Sequence, residues 1–382
     1  MATGRPKTKV TFLLSKDPVT QRAGDVELGQ LLMRLACDDF EVSGLCLSAQ
    51  TGPATLPGGI ALSRVPKPKI RPAALLLDST RKRRSLVHVR FDTDELVAGI
   101  DACDADVFVA EHSYMAESFL RSTKFGRARL VVNTNISEAL VWRASRGALG
   151  RIEAPRLRRD EIRIARAADA VGTYDAPEAE FYRANGVPGA RWLDVSLPPV
   201  RQVDVSDTPR RLVFMGLRDW PPNQEAFLCA LRLWPRIAAG IPGAELAVIG
   251  KKKPGAPDPV YPEGVRDLGF VDDLAAFLGT CRAMVAPIKT GGGVRVKILD
   301  AIRMGLPVVG TTAAVGDLGS LYGLETHDDD DSFVAGCRRY LLDQPAAVAD
   351  GERLYDINRQ RWEQRRPHRA VAALLRAETV AA

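Results

Sequence analysis

The sequence predicts an α/β architecture: two doubly wound, mainly parallel sheets in tandem. Three observations carry this. Short apolar strand runs alternate with stretches of helical spacing along the whole chain, a polar stretch with Pro198, Pro199 and Pro209 interrupts them at 197–210, and the same alternation restarts immediately afterwards. Strand and helix in alternation imply parallel strands, because parallel neighbours need crossover connections. A length of 382 residues is also more than one hydrophobic core usually serves. The expected domains are 1–205 and 206–360, with a C-terminal helix over 361–382 placed to cross back to the first domain.

In the first half, 9–15 reads as a buried strand and 26–36 as a helix with apolar residues at i, i+3 and i+4. Further strands are expected at 40–47, 85–90, 106–110, 128–133 and 170–173. In the second half the strand 211–216 ends in glycine, 223–239 is a helix and 244–250 another strand. There follow a strand at 265–270, a helix from Asp272, a strand at 283–287, a helix from about Val294 and a strand at 306–310. Ligands of doubly wound sheets sit beyond the carboxyl ends of the strands, so a cleft between two such domains is the expected site.

A composition of 46% hydrophobic and 26% charged residues excludes a disordered or collagen-like chain. No apolar run approaches the roughly 20 residues of a membrane span, and the start MATGRPKTKVTFLLS is too poor in apolar residues for a secretory signal, so a cytoplasmic protein is expected. Cys37, Cys46, Cys103, Cys229, Cys281 and Cys337 are scattered without a C-x-x-C pair, which argues against a zinc site or a disulfide framework. The net charge of +6 suits anionic partners. Basic residues cluster at 81–84 and through 151–166. The second cluster, interspersed with acids, reads as a solvated helix face. Nucleic-acid binding would rest on charge alone, without interleaved aromatics.

The strongest local signal is PIKTGGGVRVKILDAIRMGLPVVG, residues 287–310. Here a strand runs through Gly291, Gly292 and Gly293 into Val294 and a helix bearing Arg295 and Lys297. Glycines let backbone approach a ligand closely, the first helical N–H groups lack partners, and the dipole adds roughly half a positive charge. A diphosphate is the natural occupant. Asp300, one turn on, could accept a hydrogen bond from a ribose, and 304–307 close the helix with a glycine cap.

Those residues resemble the retaining glycosyltransferases of the GT-B fold, family four (glycosyl transferases group 1). In that family G-G-x-R-x-K-x-x-E-A-x-x-x-G-x-P-V-V follows a strand ending in proline, and 292–309 matches with Asp300 in place of the glutamate. FMGLRDWPPN at 214–223 is similar to F-x-G-x-x-x-W-x-P-N, and GFVDD at 269–273 to G-x-V-x-D. In the first half, Gly24-Asp25 stands where the family has paired glycines facing donor phosphates. NTNISE at 133–138 resembles H-N-x-E, and 153–161 an arginine-rich helix with two glutamates.

The resemblance implies two Rossmann-like domains facing each other across a cleft. The first would bind the acceptor and the second a nucleotide-diphosphate sugar. Donor-binding positions are then Gly24, Asp25, Gly216, Asn223, Phe270, Val271, Gly291, Gly292, Gly293, Val294, Arg295 and Asp300. Arg218, Lys297 and His112 would be catalytic, the first two stabilising the leaving diphosphate. His112 follows the run 106–110, where a family histidine contacts the donor sugar. Transfer would retain configuration by front-face attack, the diphosphate accepting the acceptor's proton, with no cofactor and no metal. The acceptor would be a small molecule, a glycan or a lipid-linked sugar. The basic clusters also fit peripheral contact with the inner face of a membrane.

Departures from the family pattern keep other readings open. Gly292 stands where many members have a donor-contacting glutamate, and Arg218 is the only cation of a pair expected after the strand 211–216, with Lys297 or 251–253 to compensate. A nucleotide-sugar epimerase-like enzyme or an inactive nucleotide-sugar-binding relative is therefore the alternative. A nicotinamide-dependent dehydrogenase is disfavoured because no G-x-G-x-x-G follows the first strand of either half. Asp92-Thr-Asp94 and 328–331 have the D-x-D spacing of a metal-binding transferase fold, but both precede helical patterns and read as helix starts. Trp220 reads as core packing, His88 as structural, and His327 and His368 as surface residues.

Overall fold

A computed structural model describes residues 6–379 apart from 22, 253, 254, 256, 291 and 292. The chain divides into two compact units, 1–195 with 367–382, and 196–366.

In the first unit β1 (Lys9–Leu14) leads to α1 (Gly24–Ala36) and β2 (Glu41–Ser48). A short hairpin follows, β3 (Ala54–Leu56) and β4 (Ile60–Pro66), then three helices, α2 (Pro72–Lys82), α3 (Leu86–Arg90) and α4 (Asp94–Ala102). β5 (Val107–Glu111), α5 (Ala116–Arg121) and β6 (Arg129–Thr134) precede the helical pair α6 (Glu138–Ser145) and α7 (Gly147–Ala167). β7 (Ala170–Thr173), α8 (Ala176–Ala184) and β8 (Ala190–Trp192) complete the sheet. Among the described residues its order is β3-β4-β2-β1-β5-β6-β7-β8, and only the β3–β4 pair is antiparallel. The strand order reverses between β1 and β5, whose carboxyl ends therefore flank the switch point where such sheets take ligands.

The second unit opens with β9 (Arg211–Met215), α9 (Pro221–Ala238), β10 (Glu245–Ile249), β11 (Val265–Gly269) and α10 (Leu274–Leu278). β12 (Ala283–Ala286), α11 (Val296–Arg303) and β13 (Val308–Gly310) follow, then α12 (Thr312–Val315), α13 (Leu318–Tyr322), α14 (Asp330–Leu342) and α15 (Gln344–Glu363). The five strands are all parallel, in the order β11-β10-β9-β12-β13, so the switch point lies between β9 and β12. The central strands are apolar throughout, as a sheet covered on both faces requires: Leu212, Val213 and Phe214 of β9 and Met284 and Val285 of β12 share one core with Trp234 and Ile298.

The last helix, α16 (Arg366–Leu375), belongs to the first unit. Val371, Leu374 and Leu375 are buried, the Arg129 guanidinium donates to the Leu375 carbonyl at 2.8 Å, and Leu374 packs over Gly172 of β7.

One expected strand is a helix. LVHVR at 86–90 has strand-like composition, yet Asp160 accepts from the Ser85 N–H at 2.6 Å and Glu153 from the Leu86 N–H at 2.9 Å. Two carboxylates on α7 thus satisfy the free donors of a helical turn and favour its dipole. His88 lies within that turn, fully buried between Ser85 and Ser113, with burial pushing it down to about 3. The arginine-rich stretch also differs from an evenly solvated face: Glu153, Asp160 and Glu161 are buried while most of the arginines of α7 point outward.

Candidate functional sites at the two switch points

In the second unit, glycines let strand ends close on one another. Gly250, after β10, has φ +115, and a Cβ there would lie 2.1 Å from the Gly216 carbonyl oxygen, so glycine is obligatory at this approach. Arg218 sits beneath that contact, 4% exposed. Its guanidinium grips Asp267 of β11 through two bonds of 2.6 and 2.9 Å, donates to the Gly250 carbonyl at 2.9 Å and lies over the Phe227 ring at 4.9 Å. Burial alone would raise the Asp267 carboxyl, but hydrogen bonds led by Arg218 and Tyr261 hold it at about 2. Arg218, expected as a cation for the diphosphate, thus has its charge committed to Asp267 and ties three strand ends together. It is a positioning residue here.

Lys297 is the opposite case. It occupies the first turn of α11, and its ammonium donates to Asn223 Oδ1 at 2.8 Å while Asn223 donates to the Leu217 carbonyl at 3.0 Å. Among the described residues no carboxylate pairs with Lys297, and burial lowers its pKa to about 8. A desolvated ammonium held by one neutral amide has room in its electrostatics for an anion. The surrounding backbone agrees. α11 has no side-chain N-cap, Gly293 adopts φ +71, and Arg295 stands at the cap position with its guanidinium on the Gly293 carbonyl at 3.0 Å. Gly291 and Gly292 lie outside the described residues. Val294 packs against the core, and Asp300 is buried on α11 with Arg303 at 2.8 Å. Gly216 leaves space that Asn223 fills, since a Cβ would meet it at 3.0 Å. Past β11, Phe270 is 60% exposed with the Lys251 ammonium 5.5 Å from its ring, while Val271 turns toward the core. Lys252 is paired with Asp258, and Lys253 lies outside the described residues.

In the first unit, the ends of β1 and β5 bring Lys16 and Asp25 beside Glu111 and His112 around a cavity of about 20 Å³. Gly24 is exposed at the start of α1, and Asp25 in its first turn is bound by Lys16 at 2.6 Å. The Asp25 carboxylate therefore occupies the helix start where the paired glycines of the resemblance would face a phosphate. His112 holds φ +76, unusual for a residue with a side chain. Its ring stacks on Tyr114 at 5.0 Å, with Asp25 Oδ2 3.6 Å from Nε2, Glu138 Oε1 3.6 Å from Nδ1 and the Asn135 amide 3.3 Å from Nε2. Burial works against its charged form, but the hydrogen bond it donates to Asp25 and the charges of Glu138, Asp25 and Glu111 outweigh it and raise the pKa. Glu111, buried and bonded by Asn133 at 2.8 Å and Asn135 at 3.2 Å, is pushed up to about 7. The His112 ring thus sits in a polar, mainly acidic nest that can orient hydroxyl groups.

Lys16 and Glu111 escape sequence reasoning. Their signal was their position at the last residue of β5 and just past β1, visible only once strand ends are fixed. The D-x-D stretches are occupied otherwise. Asp92 binds Lys82 and Arg121, both at 2.7 Å. Asp329 caps α14 through the Ser332 N–H at 2.8 Å, and Asp330 binds Arg232 at 2.6 Å.

Two Rossmann-like units, each with polar groups gathered at its switch point, define a GT-B glycosyltransferase fold. Residues 209–343 match the family model of the glycosyl transferases group 1. Sucrose-phosphate synthase from Thermosynechococcus elongatus superposes with a TM-score of 0.69 at 14% identity over 96% of both chains. HepE of Anabaena, solved with UDP-glucose, gives 0.68 at 14% identity over 97% of this chain and 99% of its own. TarM of S. aureus gives 0.71 at 6% identity over 96% and 98%. At such identities the likeness concerns the fold. No curated protein matches in sequence. No helix among the described residues is long and apolar enough to cross a membrane.

Proposed function

We propose that the protein transfers a sugar from a nucleotide-diphosphate donor to an acceptor hydroxyl with retention of configuration and without a metal ion. The observation that carries this reading is Lys297: a desolvated ammonium with no carboxylate partner among the described residues, at a helix start without a side-chain cap. The solved complex of HepE with UDP-glucose supports a nucleotide sugar as the ligand. Lys297, Arg295 and the N–H groups opening α11 would meet the charge that grows on the leaving diphosphate, a contribution of several kcal/mol when preorganised, about 3 for a single donor. In this reading the glycosidic bond to the diphosphate oxygen breaks as the acceptor oxygen attacks from the same face, and the acceptor's proton passes to the diphosphate. His112, with Glu111 and Glu138 beside it, is assigned to sugar hydroxyls, and Phe270 to the nucleobase. The acceptor is a small molecule, a glycan or a lipid-linked sugar, and the protein acts in the cytoplasm.

The test is a thermal-shift series with UDP, GDP and ADP and their sugars, with and without a chelator. One nucleotide family should raise the melting temperature with chelator present. Donor hydrolysis followed by NMR should release the sugar first as the donor's own anomer. No stabilisation by any nucleotide at millimolar concentration would sink the proposal, and release of the opposite anomer would remove retention.

A further inference from the structure

Beside the acidic nest of the first unit stand two cations that the fold leaves without a carboxylate, Lys67 and Arg90. Lys67 directly follows β4, and Pro68 after it keeps its backbone extended past the strand end. Its N–H donates to the Ser48 carbonyl at 2.9 Å and its ammonium to the Ser15 carbonyl, just beyond β1, at 3.1 Å. Arg90 is the last residue of α3, the turn that carboxylates of α7 hold helical. Its guanidinium lies 5.2 Å from the Phe91 ring, Phe91 stacks on Tyr114 at 4.4 Å, and the Tyr114 hydroxyl donates to Ser15 Oγ at 3.3 Å. Two cations from separate elements thus gather about Ser15, at the carboxyl ends of parallel strands, where such sheets take ligands.

Neither cation has an ion-pair partner among the described residues. The acids of the adjoining loop are engaged elsewhere: Asp17 by Arg64 at 2.8 Å and by Ser48 at 2.7 Å, and Asp25 by Lys16 at 2.6 Å. Arg90 Nε is buried without a hydrogen-bond partner. Burial, followed by the charges of Arg90 and Lys16, lowers the pKa of Lys67. Like charges held together against burial at the ligand end of a sheet are the mark of a site for an anion. A phosphate monoester, with close to two negative charges, balances an ammonium and a guanidinium together, whereas a carboxylate balances one of them. The stacked rings of Tyr114 and His112, 5.0 Å apart, lead from this cluster to the nest around Glu111. The unit therefore offers a charged end for a phosphate beside a region suited to neutral hydroxyls.

We propose that the acceptor carries a phosphate monoester, held by Lys67 and Arg90 of the first unit. The transferase reading above supplies only the word acceptor; phosphate binding is measured without turnover. The full chain is titrated in a calorimeter, with and without a saturating nucleotide diphosphate, using glucose 6-phosphate, ribose 5-phosphate, glycerol 3-phosphate and a short-chain polyprenyl phosphate, beside glucose and glucuronate. At least one phosphate should bind while glucose does not, and the tighter of the sugar phosphates and the polyprenyl phosphate shows whether the phosphate belongs to a free metabolite or to a lipid carrier. K67Q/R90Q should weaken that binding by about tenfold or more. Its nucleotide affinity should be unchanged and its ligand-free melting temperature no lower, since no ion pair is lost. K67R, which keeps the charge, should retain most of the phosphate affinity. No binding by any phosphate, full binding by K67Q/R90Q, or glucuronate binding as tightly as the phosphates would overturn the proposal. Nucleotide binding without phosphate binding would remove this site and leave the transferase reading standing, and phosphate binding without nucleotide binding would do the reverse.

Discussion

Lys297 and Arg218 are both basic residues at strand or helix ends of the second unit, and their surroundings give them opposite tasks. Arg218 is paired, bidentate and buried against Asp267, so its removal leaves an uncompensated carboxylate and acts on stability. Lys297 is desolvated with no counter-charge among the described residues, so its charged form costs stability, a cost that an anion bound there as proposed would offset. The sign can be worked out. A lysine whose folded pKa lies near 8, below its value of 10.5 in the unfolded chain, makes the native state release its proton first. Stability then rises with pH between about 8 and 10.5 and carries a constant cost below 8. Lys297→Met should therefore raise the melting temperature of the ligand-free protein at pH 7. It should also weaken nucleotide-diphosphate binding by roughly 1–3 kcal/mol, the range of a charge-assisted contact. Calorimetric titration with and without the substitution measures both. A less stable ligand-free variant with intact affinity would return Lys297 to a structural role.

At the scale of elements, motifs that write themselves locally were legible in the sequence and those completed by another element were not. Glycines at 291–293 and 305, and the run from β12 into α11, are continuous in the chain, so the candidate anion site proposed here is one that spacing and helix physics can suggest. The Asp267 partner of Arg218, 49 positions away, could not. α3 shows the same limit from the other side, because its LVHVR turn is helical only through carboxylates supplied by α7. That inward turn of the α7 acids has a pH consequence. Burial raises Glu161 to about 7, and it raises Glu178 of α8 to about 8. Each holds its proton in the native state at pH values where the unfolded chain has lost it. Their contribution is full below about 4.5 and is lost as pH rises through 7 to 8. Glu161→Gln keeps an acceptor for the Ala139 N–H and removes the titration. Denaturant unfolding at pH 5 and pH 8 should show a smaller difference in the variant than in the parent, and an equal difference would mean that Glu161 is already ionised in the native state.

For the whole molecule, the restart of the strand–helix pattern after residue 210 made two sheets legible, but the short β3–β4 hairpin and α2 had no periodic signature to announce them. The return of the chain's end to its beginning has an energetic basis in α16. Its four most buried apolar residues, Val371, Ala372, Leu374 and Leu375, cover part of the first unit, with Leu374 over Gly172 and the Leu375 carbonyl held by Arg129. Burying side chains of this size contributes about 1.5–3 kcal/mol for each large one, so the segment matters to the first unit alone. Ending the chain after Arg366 should lower the melting of that unit by more than about 10 °C, at roughly 2–4 °C per kcal/mol for a unit of this size. A ligand separates the two units in the same experiment. A nucleotide diphosphate bound at Lys297 as proposed would stabilise the second unit by mass action, so in calorimetry its shift should persist in the shortened chain while the first unit's transition falls. Two transitions that fall together would show that the units unfold as one, and an unchanged first transition would show that α16 adds nothing to it.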